Sequence, residues 1–425
     1  MITKFTLSLL ATFSLAWLNA QDFVQVPLGA SYSNQAYYNI EDDDIAFLAN
    51  ESWDLAFTTA ADGAGIFYNE AATASFTGEA PELRLYLAPT NDFAEVIDPE
   101  TLLDSLYNEE IDWENGAFNS VKEENDPDDY GWGAYNSGTQ MIAGSRVYAL
   151  KLRNNSWKKI FIESLANGVY TMKYADLDGA NEATVLIDKA DFAGSPLALF
   201  SFGAGTATAS PADWNLLFTR YRTELDPGNG VIVQYMVTGV LSGPGVETAE
   251  ARNIDPTTVS YEPYLDSLDT QLDIIGQDWK FFDLGGFEWV IDPERAFFVK
   301  TPDNRLWKVV FYGFDGSSTG IFTFKKTDLG TITGVKAPAS NFTDFSLFPN
   351  PAVDEMTVSF SLKESRDNLP LSMVNTLGQV VWYTSVRGNA GLNILNLPAG
   401  ELAPGVYFLN LGTGKDRVTT KVVIE

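Results

Sequence analysis

The sequence predicts an all-β chain: a duplicated β unit followed by a separate small β-sandwich. Three observations predict it. Short apolar runs rich in aromatic and β-branched residues recur, among them "RVYALKL", "GVYTMKY", "VIVQYMVTGVL", "RAFFVKT" and "GIFTFKK", with Gly, Asn, Asp and Pro between them at turn-like intervals. The phrase "NESWDLAFTTAA" (50–61) returns as "PADWNLLFTRYR" (211–222). Beyond residue 331 the composition changes, and a third stretch close to charge balance has its own strand rhythm.

The first twenty residues set Lys4 before the apolar run "FTLSLLATFSLAWL" and end on small Ala20. That is the pattern of a secretory signal peptide cleaved after Ala20, and its apolar stretch is short for a membrane span. Two repeats follow, expected over 21–180 and 181–330. Trp53 opens the shared phrase in one and Trp214 in the other. "LDSL" stands at 103–106 and 265–268, and "DW" at Asp112-Trp113 and Asp278-Trp279. Each repeat closes on an Arg-led strand, a Trp-Lys pair (Trp157-Lys158, Trp307-Lys308) and a Gly-led strand. The same order of markers in both halves implies internal duplication with unequal insertions. In "GVYTMKY", Tyr170, Met172 and Tyr174 share one face of a strand, with Thr171 and Lys173 on the other. Asp98, Pro99 and Glu100 predict a capped helix start, with a counterpart at "DPTT" (255–258). Residues 331–343 read as a linker, and six or seven short strands over 344–425 predict an immunoglobulin-like β-sandwich.

The composition removes much chemistry. There is no Cys, so disulfides and thiolates are absent. There is no His, which removes the commonest general base and metal ligand together with every Ser-His-Asp arrangement. Fifty-seven acids against 27 bases give a formal charge of -30, which argues against nucleic acid as a partner. Acidic runs such as "EDDD" (41–44) read as solvated loops. "DLDGANE" (176–182) has alternating oxygen ligands but lacks the full calcium loop and its terminal Glu. With no catalytic constellation, the chain reads as a non-enzymatic binding protein. The candidate ligand surface is "DDYGWGAYNSG" (128–138), where Tyr130, Trp132 and Tyr135 stand among Gly, Asn and Asp, with Met141 beyond them. Trp53 and Trp214 read as core anchors.

The last stretch resembles the type A C-terminal sorting domain of type IX secretion substrates in Bacteroidota. The residues that carry the resemblance are "FPNPAVDEMTV" (348–358), "VNTLGQVV" (374–381), "LAPGVYFLNL" (402–411) and "KVVIE" (421–425), including Pro349, Asn350, Pro351, Gly378, Gly405, Tyr407 and Lys421. Pro349 and Pro351 fix backbone dihedrals at the domain entrance, and Gly405 is expected to permit a turn. The resemblance implies signal-directed export, passage through the outer membrane by the type IX machinery, and release or attachment to surface lipopolysaccharide.

Each repeat resembles the HmuY family of secreted, mainly β haem-binding proteins. The resemblance rests on the Trp53 and Trp214 phrases, the "GWGAY" and "GFEWV" stretches, the Arg-led strands and "SSTGIFTFKK" (317–326). It implies haem as a ligand, yet bis-His ligation is closed to a chain without His. Of the sulfur ligands, Met172 aligns with Phe324 and reads as core, Met236 lies in an apolar strand, and Met141 is expected to be exposed. No cofactor is assigned on this basis. Haem, a glycan and a protein or other surface partner stay open as ligands.

Overall fold

The computed structural model describes residues 23–75, 81–123, 125–226, 228, 230–332, 342–363, 365–376, 379–400, 402–412 and 418–424. The expected signal peptide, most of the expected linker and Gly378 lie outside the described residues. The chain divides into two compact units, residues 1–332 and 333–425. Among the described residues both are all-β, with short 3-10 turns among the strands.

In the first unit the leading repeat supplies β1 (Val24–Pro27), β2 (Asn34–Tyr38), β3 (Ile45–Ala49), β4 (Leu55–Thr58), β5 (Ile66–Tyr68), β6 (Arg84–Leu87), β7 (Ser105–Leu106), β8 (Gly133–Asn136), β9 (Met141–Gly144), β10 (Val147–Lys151), β11 (Trp157–Ala166) and β12 (Val169–Ala175). The trailing repeat supplies β13 (Ala183–Asp188), β14 (Leu197–Ser201), β15 (Thr206–Ala209), β16 (Leu216–Leu225), β17 (Val233–Ser242), β18 (Glu247–Arg252), β19 (Lys280–Asp283), β20 (Glu288–Ile291), β21 (Arg295–Lys300), β22 (Arg305–Phe314) and β23 (Ile321–Thr331). The sheets run β1-β23-β22-β21-β18, β17-β16-β2-β3, β15-β14-β4-β5 and β13-β12-β11-β10-β6-β7. Hairpin β8-β9 joins the last of these through β11, and β19-β20 is a hairpin of its own.

Matched in chain order, β1–β6 correspond to β13–β18 and β8–β12 to β19–β23, and the sheet orders then coincide. The repeats nevertheless exchange strands. β1 of the leading repeat pairs with β23 of the trailing one, and β2 pairs with β16. In return β13 pairs with β12, and β14 with β4. Residues 21–180 and 181–330 are therefore not separate lobes. One lobe is the continuous run β4–β15; the other is β16–β23 closed by β1–β3 from the start of the chain.

Each lobe has its own core. Val26, Tyr38, Phe218, Phe297, Val309 and Phe324 meet in one. Phe57, Ile66, Tyr148, Ile160, Tyr170 and Met172 meet in the other. Strands β4 and β16 alternate between two buried environments: Leu55 and Phe57 face a lobe core while Ala56 faces the junction, and Leu216 and Phe218 do so while Leu217 faces the junction. That double burial is why "DLAFT" and "NLLFT" carry apolar residues on both faces. Trp53 and Trp214 are the indoles of that junction, and Leu48 and Trp113 pack against both of its halves.

Three alignments drawn from the sequence change. Register puts Trp157 opposite Lys151 but Leu306, not Trp307, opposite Lys300. A one-residue offset reverses the faces of a strand, so Trp307 enters a core while Trp157 packs on Tyr86 at 5.7 Å. The lysines that correspond are buried Lys159, whose Nζ donates to the Glu95 carbonyl at 2.9 Å, and half-buried Lys308, whose Nζ donates to the Pro256 carbonyl at 2.9 Å. The two "DW" dipeptides also differ. Trp279 is a core residue stacked on Phe311, whereas Trp113 belongs to the junction. The counterpart of Asp278, held by Arg295 at 2.7 Å, is Asp129, held by Arg146 at 2.8 Å. Instead of a helix, Asp98 caps a 3-10 turn over Pro99–Thr101, and the counterpart is Glu262–Ser267 rather than 255–258.

The second unit contains β24 (Phe342–Phe348), β25 (Glu355–Leu362), β26 (Arg366–Asn375), β27 (Val380–Gly388), β28 (Gly391–Pro398), β29 (Gly405–Leu411) and β30 (Val418–Ile424). Sheets β24-β25-β28 and β27-β26-β29-β30 enclose Val358, Phe360, Leu371, Met373, Leu409 and Val422 as a sandwich.

Candidate functional site

The aromatic stretch chosen from sequence does not form a ligand surface. Trp132 is fully buried and donates its indole N–H to the Ala64 carbonyl at 3.0 Å. Its flanking glycines serve this packing. Gly131 has φ +82°, and a Cβ there would lie 2.6 Å from the Asn119 backbone; one on Gly133 would lie 2.5 Å from the Ala143 carbonyl oxygen. Tyr130 is half-buried against the lobe core, and only Tyr135 is exposed. Met141, expected to be exposed, is half-buried, in register with Asn136. Met172 is fully buried as expected, and Met236 is half-buried. In "DLDGANE", Asp176 is engaged by Lys158 at 2.5 Å and Asn181 at 2.6 Å, so it serves the loop's own structure.

Polar side chains gather instead where the lobes meet, and no spacing in the sequence announces them. Trp53 Nε1 donates to Gln35 Oε1 at 3.0 Å, and Gln35 Nε2 donates to Asn69 Oδ1 at 3.2 Å. Glu70 accepts the backbone N–H of Asn108 at 2.9 Å and of Arg222 at 3.1 Å. Burial raises its pKa to about 7, the two N–H donors opposing the shift. Arg220 donates to the Ala72 carbonyl at 2.7 Å, and the Arg222 guanidinium meets Glu82 at 2.7 Å. Gln35, Trp53, Asn69, Glu70, Arg220 and Arg222 line a cavity of about 70 Å³. Trp113 completes the seam: its Nε1 donates to the Ser242 carbonyl at 2.9 Å, and its ring lies 5.5 Å from both Trp214 and Phe67.

Beside this seam opens a cleft of about 610 Å³ lined from both lobes. Trp113, Trp214, Pro196, Pro244 and Pro302 give it apolar faces; Glu41, Glu114, Asp213 and Asp303 give it carboxylates. Among the described residues no Lys or Arg lines it. The Thr301 hydroxyl bonded to Asp303 holds that carboxyl below its usual range, whereas burial pushes Glu114 up. The cleft thus presents flat apolar surface beside hydrogen-bond acceptors. Such a surface disfavours anions.

A box of aromatic rings also exists, but the chain fills it itself. Lys280 Nζ lies 4.7 Å from the rings of Trp279 and Phe314 and 5.4 Å from Trp289, and it donates to the Thr238 carbonyl at 2.6 Å. Burial lowers its pKa to about 7.

In the second unit Asn350 clamps the entrance to the last strand. Its Nδ2 donates to the Lys421 carbonyl at 2.9 Å, and its Oδ1 accepts from the Val423 N–H at 2.8 Å. Pro349 and Pro351 flank it, both after cis peptide bonds. Tyr407 donates its hydroxyl to the Ala403 carbonyl at 2.8 Å. Gly405 begins β29, paired with Ile424.

Comparison with known proteins bears mainly on this second unit. Among solved structures the chain is similar to dimeric latent PorU from Porphyromonas gingivalis, at 9% identity and a TM-score of 0.17, covering 92% of this chain and 40% of that one. It is also similar to Escherichia coli alpha-2-macroglobulin activated by porcine elastase, at 10% identity and a TM-score of 0.18, covering 95% and 52%. The chain thus spans about half or less of those proteins. No curated protein matches it. Residues 346–425 match the family described as the secretion system C-terminal sorting domain. The second unit is a type IX sorting domain, which implies engagement of that secretion machinery and export to the cell surface or beyond it.

Proposed function

We propose that this is an exported, non-enzymatic binding protein that holds a neutral, hydroxyl-rich ligand, such as an oligosaccharide, in the cleft between its exchanged lobes. One observation carries the reading: the cleft sets indole and proline faces beside four carboxylates, with no basic side chain among its lining residues. Sugar rings present apolar C–H faces for the former and hydroxyl donors for the latter. The two propionates of a haem would meet carboxylates there, and none of Met141, Met172 and Met236 lines the cleft. The absence of His and Cys from the sequence fits binding without turnover. The resemblance to HmuY proteins supports a secreted ligand carrier; the ligand class is read from the cleft. Attachment to surface lipopolysaccharide after export belongs to the same proposal.

The test is calorimetric titration of the full chain with a panel of neutral oligosaccharides and with haemin. Saturable binding of a glycan without release of reducing ends is expected, weakened at least tenfold in a Glu41→Gln, Asp303→Asn double variant. Tight haemin binding with no glycan bound would overturn the reading.

A further inference from the structure

At the other end of β16 from this cleft, the chain builds a second, strongly acidic site. Two recesses of about 390 and 350 Å³ share Thr223 and Glu224 near the end of that strand. Glu250 and Asp278 at their margin are neutralised by Arg252 and Arg295. Glu110, Glu224 and Asp273 have no ion-pair partner among the described residues.

An independent observation points to a ligand. The hydroxyl of Tyr221, a residue only 4% exposed, is buried without a hydrogen-bond partner. So are Glu110 Oε1 and the side-chain carbonyl Oε1 of Gln234. Glu110 and Gln234 line one recess and Tyr221 lines the other; Glu110 and Tyr221 also both line the junction cavity. The Leu272 N–H donates to the Glu110 carbonyl at 2.8 Å, which ties the Glu110 loop to the segment carrying Asp273. Burial, reinforced by the charges of Asp273, Glu110 and Asp278, raises the Tyr221 pKa well above its ordinary value. Burial likewise raises the carboxyls of Glu110 and Asp273. Buried acceptors left unmatched are costly, by about 1–3 kcal/mol each. What they lack is a donor, and the unpaired carboxylates beside them favour one that carries positive charge.

We propose that these recesses hold a primary ammonium group, presented by a small amine or by a lysine side chain, with Glu110, Gln234 and the Tyr221 hydroxyl as acceptors and Asp273 and Glu224 as counter-charge. An ammonium offers N–H donors together with the positive charge that Glu110, Glu224 and Asp273 lack among the described residues. A metal ion fits less well, since no group of three or more metal-ligating side chains is assembled among the described residues. This site is independent of the glycan cleft, and either reading stands if the other fails.

The experiment is titration of the full chain with cadaverine, with Nα-acetyl-lysine amide and with its Nε-acetylated form. Saturable binding of an unacetylated amine is expected, with at least a tenfold loss in Glu110→Gln and in Tyr221→Phe and no change in Asp303→Asn. Cadaverine alone binding would identify a free amine as the source, and the lysine amide binding would identify a side chain. Near-ultraviolet circular dichroism checks that the variants fold, with Asp273→Asn as the substitute should Glu110→Gln not fold. The proposal is overturned if neither amine binds, if the Nε-acetylated form binds equally well, if both variants bind undiminished, or if calcium binds there in place of the amine.

Discussion

Trp53 and Gln35 are joined by a hydrogen bond of 3.0 Å that crosses between lobes, since Trp53 leads into β4 while Gln35 lies in β2 of the lobe closed by the N-terminal strands. Gln35 is 3% exposed and passes the link on to Asn69 and Tyr37. Trp53 is thus a fastener between lobes as well as a buried anchor. Trp53→Phe keeps most of the apolar contact and removes the donor. Gln35 Oε1 keeps the Tyr37 hydroxyl as a donor at 3.4 Å, so the expected cost is about 0.5–1.5 kcal/mol, the net worth of one hydrogen bond, measured by urea denaturation. A double-mutant cycle with Gln35→Leu should show coupling between the two sites; strict additivity would mean that the bond contributes nothing to stability.

Strand exchange makes the lobes unequal in isolation. Residues 51–212 contain all of β4–β15 and should fold alone. Residues 213–332 lack β1–β3, and so lack Val26, Ala36 and Tyr38 of their core. That fragment should stay unfolded until residues 21–50 are supplied as a peptide, with circular dichroism following the gain of strand signal. A cooperatively folded 213–332 fragment would contradict the exchange.

The duplication was legible because β4 and β16 are buried on both faces, which preserves "W-x-L-x-F-T" as a nearly continuous apolar phrase. The exchange was not legible. β2 and β14 have similar patterns, and alternation along a strand does not say which copy of the partner strand it joins. Trp132 was misread because an aromatic among Gly, Asn and Asp looks the same whether it faces solvent or plugs a core. The close approaches of Gly131 and Gly133 to neighbouring backbone decide that, and they exist only in three dimensions. The cleft and the acidic recesses draw on residues far apart in sequence, from Glu41 to Asp303 and from Tyr107 to Asp278, so no local motif could mark them.

Glu70 predicts how stability changes with pH. Its folded pKa of about 7 lies above the ordinary glutamate value of 4.5. Between these values the folded chain holds a proton that the unfolded chain has released. Its contribution is therefore complete below the unfolded pKa and is lost as pH rises through about 7. Asp54, Glu110, Glu114 and Asp273 shift in the same direction, each chiefly through burial. The urea midpoint should fall from pH 5 to pH 7, above which buried Lys280, with its pKa lowered to about 7, acts in the opposite direction. In Glu70→Gln that fall should be shallower, even if the amide is less stable at pH 5 because its NH2 faces a backbone donor. An unchanged slope would remove Glu70 from the account.

Asn350 predicts how the sorting domain works as an address. Two hydrogen bonds tie its side chain to the backbone of β30, and the Ala352 N–H adds a third tie to the Val423 carbonyl at 2.9 Å. The residues matched to the sorting family thus fasten the entry segment to the final strand. Asn350→Ala should lower the melting temperature of the sorting domain, because about two net hydrogen bonds of roughly 0.5–1.5 kcal/mol each are lost. Export should fall with it if the machinery reads the folded edge, while ligand binding by the purified chain stays unchanged. Removing residues 344–425 altogether should leave a folded first unit in the periplasm, seen by cell fractionation and by circular dichroism of the recovered fragment. Surface delivery of that truncated chain at the normal level would show that the address lies elsewhere.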